Sequence, residues 1–333
     1  MKSFVGVAMA GALCFCGASP AFDVSMQAAP VKPMAAKPGS STSFDFVSKF
    51  NDEAYHVEVY VPKDEAADHG HPVLYLLDGN VLFGTFAAAE KNRSQAGEIE
   101  SAVIVGIESG TGTKEADRTY DFTYSDLSPR EKEIVVDLGS NPRFGGYDKF
   151  FQVIENEIKP KVAQLTAVDN DRAVLFGWSL GGLFVIHTML EHPTSFSAYA
   201  ALSPSLWRDN RSAFRDIPAF EKRVSETDQH SRLFVGVGGL EEELSPALLS
   251  WPVDHKKFAL EMKYARMVGN AKDFAEDVQP FFAKKHLDFM FKIFEGDTHN
   301  SVPWSAVNPV LSFMFPVSLG QRTDSSAQEA AHR

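Results

Sequence analysis

Cysteine is nearly missing from this chain. Only two of its 333 residues are cysteines, Cys14 and Cys16, and both fall in an apolar amino-terminal stretch with the layout of a secretory signal. With that stretch removed no thiol remains, which excludes a cysteine nucleophile, a disulfide framework and a thiolate metal site. Positive charge is also scarce: 32 Lys and Arg stand against 44 Asp and Glu, a net charge of −12. A surface that neutralises phosphates needs the opposite balance, so no nucleic-acid partner is expected. No apolar run reaches the roughly 20 residues that cross a bilayer, so no stable membrane span is expected after signal removal. His, Cys and carboxylate residues do not fall at zinc-like spacing, and there is no glycine-rich phosphate loop. Neither a metal nor a cofactor is expected.

The chain does carry the composition of a globular protein, 44% hydrophobic and 23% charged, close to the average for soluble domains. Lys2 supplies a positive start, Phe4 to Cys16 an apolar core and Ser19-Pro20-Ala21 a small-residue cleavage site. Residues 1–21 therefore read as a signal peptide, and the mature protein as periplasmic or secreted. Residues 22–42 read as a flexible leader, 43–316 as one domain and 317–333 as a disordered polar tail.

Within the domain, strand-like runs alternate with helical ones. Strands are expected over 43–50, 56–61, 73–77, 102–107, 173–176, 198–202, 233–237 and 289–294. Helical spacing covers 81–96, 147–165, 182–190, 258–282 and 305–315. Between them, 108–146 is long, polar and aperiodic, and a loop of that length in a compact domain is usually functional or disordered. The alternation predicts an α/β fold with a mainly parallel central sheet flanked by helices, whose chemistry lies at the carboxyl ends of the strands.

One such end carries Gly177-Trp178-Ser179-Leu180-Gly181 between the apolar run Ala173-Val174-Leu175-Phe176 and a helical segment. Strand, sharp turn and helix are the setting of a nucleophile elbow. A serine hydroxyl needs a base within reach, and His299 lies where an α/β-hydrolase places it, after the last strand. The acid that orients the base should follow the strand over 233–237. Three carboxylates are available there, Glu241, Glu242 and Glu243, and Glu241 is the choice. Asp297 is too close in sequence to His299, and a Ser–His dyad is the alternative. The oxyanion needs N–H donors: that of Leu180, and those of the Asp78-Gly79-Asn80 turn after the strand over 73–77. His69 and His71 form an H-x-H in a loop, while His187 and His192 read as packing or capping residues.

Three segments carry a family resemblance: Pro72-Val73-Leu74-Tyr75-Leu76-Leu77-Asp78-Gly79-Asn80, Gly177-Trp178-Ser179-Leu180-Gly181-Gly182-Leu183-Phe184 and Ala201-Leu202-Ser203-Pro204-Ser205-Leu206-Trp207. The chain resembles the esterase D-like α/β-hydrolases, which include esterases that open enterobactin, salmochelin and bacillibactin. The resemblance runs from about Ser43 to Phe315. It implies Ser179 as nucleophile, His299 as base and Gly79 and Asn80 as part of the oxyanion hole. It also picks out Arg118-Thr119-Tyr120-Asp121-Phe122-Thr123, in which Arg118 either binds an anionic substrate or locks its loop to a carboxylate. Trp207 is either an aromatic wall for substrate or a core residue. The departures are Trp178, where the family often has His, Asn300, where it often has Gly, and Gly239, where the acid turn often has Glu.

The expected activity is that of an exported serine carboxylic-ester hydrolase working through an acyl-enzyme, with a ferric catecholate siderophore trilactone as the candidate substrate. An acyltransferase or a general detoxifying esterase would use the same serine. A non-catalytic binding protein on a hydrolase scaffold would have no need of Ser179, His299 and Gly181.

Overall fold

The computed structural model describes residues 36–110, 118–124, 128–129, 131, 143–227, 231–244, 249–250 and 254–317. The signal expected over 1–21, the first part of the leader and the tail beyond 317 lie outside them. Eight strands form one sheet: β1 (Ser41–Val47), β2 (Ala54–Tyr60), β3 (His71–Leu77), β4 (Val103–Ser109), β5 (Val168–Trp178), β6 (Ala198–Leu202), β7 (Arg232–Gly238) and β8 (Phe289–Phe294). Their spatial order is β1-β2-β4-β3-β5-β6-β7-β8. The pairs β1–β2 and β2–β4 are antiparallel, and the remaining pairs are parallel. This is the α/β-hydrolase fold.

The helices are α1 (Gly79–Gln95), α2 (Arg118–Asp121), α3 (Tyr147–Val153), α4 (Lys159–Leu165), α5 (Leu180–Glu191), α6 (Arg208–Ser225), α7 (His255–Ala265), α8 (Met267–Lys285) and α9 (Val302–Met314). They divide between the two faces of the sheet, and the side chains of each central strand divide with them. Val73, Tyr75 and Leu77 of β3 join the core with Phe150, Phe184, Phe220 and Phe274. Leu74 and Leu76 point the other way, to Leu82 and Phe86 of α1 and Val310 of α9. This period of two, with both faces covered, is why β3 is buried throughout its length and apolar after His71. At the sheet edge β1 alternates between exposed and half-buried residues.

Three expectations need correction, and one helix was missed. The leader does not extend to 42. β1 begins at Ser41, and the chain before it is pinned by hydrogen bonds from Ala36 N–H to Leu165 O (3.0 Å) and from Gly39 N–H to Val61 O (2.9 Å). The helix expected over 147–165 contains a π turn at Ile154–Ile158 between α3 and α4. Just beyond it the buried Lys159 ammonium lies 2.5 Å from Glu155, donates to Ser195 O at 2.7 Å and sits over the Phe196 ring. The pattern over 258–282 is two helices, because Arg266 takes a left-handed conformation (φ 42°, ψ 48°) between α7 and α8. Finally, α6 was not anticipated, although Ala213, Ile217, Phe220 and Val224 bury one of its sides.

Candidate active site

Ser179 sits at the end of β5 with φ 61° and ψ −118°, a region that non-glycine residues rarely occupy. Its N–H bonds Leu202 O on β6 at 2.9 Å, and its carbonyl accepts from Leu183 (3.0 Å) and Ser205 (3.1 Å). These bonds hold the strained turn from both sides. The two glycines of the pentapeptide do different work. A Cβ on Gly177 would lie 2.2 Å from the carbonyl oxygen of Gly181, a contact no side chain survives. A Cβ on Gly181 would meet nothing closer than Asp78 Oδ2 at 3.4 Å. Glycine is thus required sterically at position 177, and Gly181 supplies the backbone that Gly177 must make room for.

The hydroxyl of Ser179 lies 3.0 Å from His299 Nε2, and His299 Nδ1 lies 2.6 Å from Glu241 Oε2. The carboxylate can only accept, so Nδ1 carries the proton and Nε2 is left to receive that of Ser179. Of the three candidate carboxylates, only Glu241 approaches the imidazole. It is 2% exposed, and its second oxygen accepts from Gly238 N–H at 2.7 Å and from the Ser203 hydroxyl. Glu242 instead accepts from Gly269 N–H. Asp297, set aside on sequence distance, accepts from Ser301 at 2.6 Å. The acid turn and the His299 loop are joined by Gly239 N–H to Phe294 O (2.8 Å) and Leu240 N–H to Asp297 O (2.9 Å). A Cβ on Gly239 would lie 2.8 Å from Glu295 backbone, so that close approach explains glycine at this position.

The candidate oxyanion donors are the first N–H groups of two helices. Leu180 opens α5 directly after Ser179. Asp78, left-handed at φ 58° and ψ 46°, caps α1, and its carbonyl takes the N–H groups of Val81 (3.0 Å) and Leu82 (3.2 Å). The N–H groups of Gly79 and Asn80 belong to the opening turn, where a helix offers no partners of its own. Helix starts favour developing negative charge. The Asp78 carboxylate is gripped at both oxygens by Arg118, Nε to Oδ1 at 2.6 Å and Nη2 to Oδ2 at 2.7 Å. This contact is the one that the locking role requires of Arg118. Three residues on, buried Asp121 accepts from Tyr55 (3.0 Å) and Ser109 (2.8 Å), which ties the same segment to β2 and β4.

The Esterase family model matches residues 48–289. The chain belongs to that family. Among its relatives, the ferri-bacillibactin esterase of Bacillus subtilis is 30% identical over 272 residues, covering 80% of this chain and 86% of the relative. The siderophore triacetylfusarinine C esterase of Aspergillus fumigatus is 30% identical over 276 residues, covering 79% and 89%. The crystal structure of the BES protein from Bacillus cereus superposes with a TM-score of 0.71 at 29% identity, covering 86% of this chain and all (100%) of that one.

Other residues of the esterase sort around this centre. Trp207 is half-buried and meets Tyr264 edge-on at 5.9 Å, so it lies neither in the core nor fully in solvent. Next to it, Arg208 is buried against Glu131, Nη1 to Oε1 at 3.1 Å, and Glu131 also accepts from Ser128 N–H at 2.7 Å. The pair fastens part of the stretch 108–146 to the start of α6. His187 is buried with neither ring nitrogen hydrogen-bonded; it packs on Tyr124, and burial pushes its imidazole down to about 3. His192 stacks on Phe151. His69 and His71 diverge, to Asp169 and Asp64 O, and no three His, Cys, Asp or Glu residues gather as a metal site among the described residues. Nor is any described helix long and apolar enough to cross a membrane. Sequence reasoning missed Ser203, Glu131 and Arg208. Ser203 stood inside a quoted motif without a role, and its partnership with Glu241 depends on β6 and β7 being neighbours.

Proposed function

We propose that this esterase is exported to the periplasm or medium and hydrolyses ester bonds of ferric siderophores, of the catecholate trilactone class, through an acyl-enzyme on Ser179. The carrying observation is the continuous Ser179–His299–Glu241 chain, with contacts of 3.0 Å and 2.6 Å. In this reading His299 takes the Ser179 proton as Oγ attacks the ester carbonyl. The tetrahedral oxyanion is held by the N–H groups of Leu180 and of Gly79 or Asn80. Collapse breaks the ester C–O bond, and the leaving oxygen takes the proton held by His299 and departs as the alcohol. Water, deprotonated by His299, then attacks the acyl-enzyme and releases the acid. Glu241 keeps the imidazole in the required tautomer and stabilises its charged form.

The siderophore-ester substrate is supported by what the relatives act on, ferri-bacillibactin in one case and triacetylfusarinine C in another; only the first of these, a catecholate, supports the catecholate class. Export is supported by the signal-like residues 1–21. The test is to incubate purified mature protein with a ferric tris-catecholate trilactone and with p-nitrophenyl acetate, and to separate linear products by chromatography. Wild type should open the trilactone, and Ser179→Ala should lose about 10⁶-fold in kcat on both substrates. An intact trilactone alongside rapid cleavage of the simple ester would overturn the siderophore assignment, and an active Ser179→Ala would overturn the mechanism.

A further inference from the structure

Trp178 precedes the candidate nucleophile and is 9% exposed. Its indole packs against the His299 imidazole with ring centroids 5.1 Å apart and planes inclined at 37°. No other aromatic ring meets His299 among the described residues. The indole Nε1–H is buried without a hydrogen-bond partner, a disfavoured arrangement that a ring lacking the N–H would avoid. A side chain with only a packing role would not need an indole here. What the indole offers beyond packing is its electron-rich face, the strongest of the aromatic side chains for a cation within about 6 Å.

We propose that Trp178 is a positioning residue that acts through His299, its face stabilising the imidazolium formed when the Ser179 proton is transferred. The inference rests on Ser179 and His299 being the catalytic pair. A neutral imidazole gains little from the indole quadrupole and a charged one gains more, so the contact strengthens on the way to the transition state and lowers the barrier. Trp178 is the last residue of β5, which fixes its ring beside the nucleophile whatever the substrate. The charged groups around His299 are few. Glu241, from the turn after β7, bonds Nδ1. Asp297, in the same loop as His299, is engaged by Ser301. Asp78, beside Gly181, is neutralised by Arg118. Trp178 covers the ring from β5, where no charged side chain contributes.

The test is the pH profile of kcat/KM on p-nitrophenyl acetate for wild type, Trp178→Phe and Trp178→Leu, with thermal melts to verify folding. Removing the face makes the imidazolium easier to deprotonate. Trp178→Leu should therefore lower the plateau about 3- to 10-fold while moving the acid limb to lower pH by about half to one unit. Trp178→Phe keeps a weaker face and should restore most of both, and Trp178→Met replaces Leu if that variant does not fold. A folded Leu or Met variant with an unmoved acid limb reduces Trp178 to packing, and a limb moved to higher pH contradicts the proposal outright. Activity surviving in Ser179→Ala would instead sink the catalytic pair itself, so the two failures are told apart.

Discussion

Two strand ends meet at the reaction centre, and they are built by different physics. At the end of β5 the turn is held by exclusion. The backbone of Gly181 lies so close to Gly177 that a Cβ would stand 2.2 Å from it, and Ser179 is strained in consequence. At the end of β3 the turn is held by charge, with a half-buried guanidinium clasping both oxygens of Asp78. A steric constraint is indifferent to salt and pH and fails all at once. An ion pair can be weakened by degrees. The nucleophile therefore stands on the rigid support, and the candidate oxyanion turn on the adjustable one.

The largest effect expected is at the steric end. Gly177→Ala should cost more than about 4 kcal/mol and leave little folded protein by circular dichroism, while Gly181→Ala should fold and keep activity within a few-fold. Equal tolerance of the two would erase the contrast. At the charged end, Arg118→Met should fold but lose up to about 100-fold in kcat, the scale of one oxyanion donor, with KM little changed. A fall confined to KM for anionic esters would assign Arg118 to substrate instead.

The smallest effect concerns the two helices that start at these turns, since each buries one titratable side chain. Burial pushes the Glu90 carboxyl of α1 up from 4.5 to about 7, and the His187 imidazole of α5 down to about 3. Between 4.5 and about 7 folded Glu90 keeps a proton that the unfolded chain has released, so its contribution is full below 4.5 and is lost as pH rises through 7. His187 works in reverse, and its cost appears as pH falls from 6.5 towards 3. Glu90→Gln should raise stability by about 2 kcal/mol at pH 8 and have little effect at pH 4.5, measured by denaturant melts. An equal gain at both values would remove ionisation as the cause.

Much of this was legible in the sequence, and what was not has physical reasons. The strands over 198–202 and 289–294 match β6 and β8 to the residue: β6 is a short buried apolar run, and β8 is an alternating edge strand that stops at Glu295-Gly296. Ser179 and His299 were legible from local pattern and chain order. Glu241 was chosen from three neighbouring carboxylates, but the contacts that select it, from Ser203 and Gly238, are brought together by strand pairing and lie outside any local pattern. The break falls on Arg266 itself, a non-glycine residue in a left-handed conformation, with its nearest glycine, Gly269, already inside the following helix. The start of α6 runs through three left-handed residues, Asp209 to Arg211, before its apolar side begins, which hid the helix. The clasp of Arg118 on Asp78 spans 40 positions, beyond any local pattern.

The pinning of Ala36 to Leu165 has a further consequence. Leu165 lies just before β5, at the end of the sheet where the parallel strands begin, opposite Ser179. The other end of the described chain leaves on that side as well, where Glu100 N–H bonds Phe315 O at 2.9 Å shortly before β4. Both ends thus emerge from the base of the molecule. A tether, carrier protein or solid support joined at Ala36 or Val317, the ends of the described chain, would hold the enzyme by its base, with the serine turned toward the open solution.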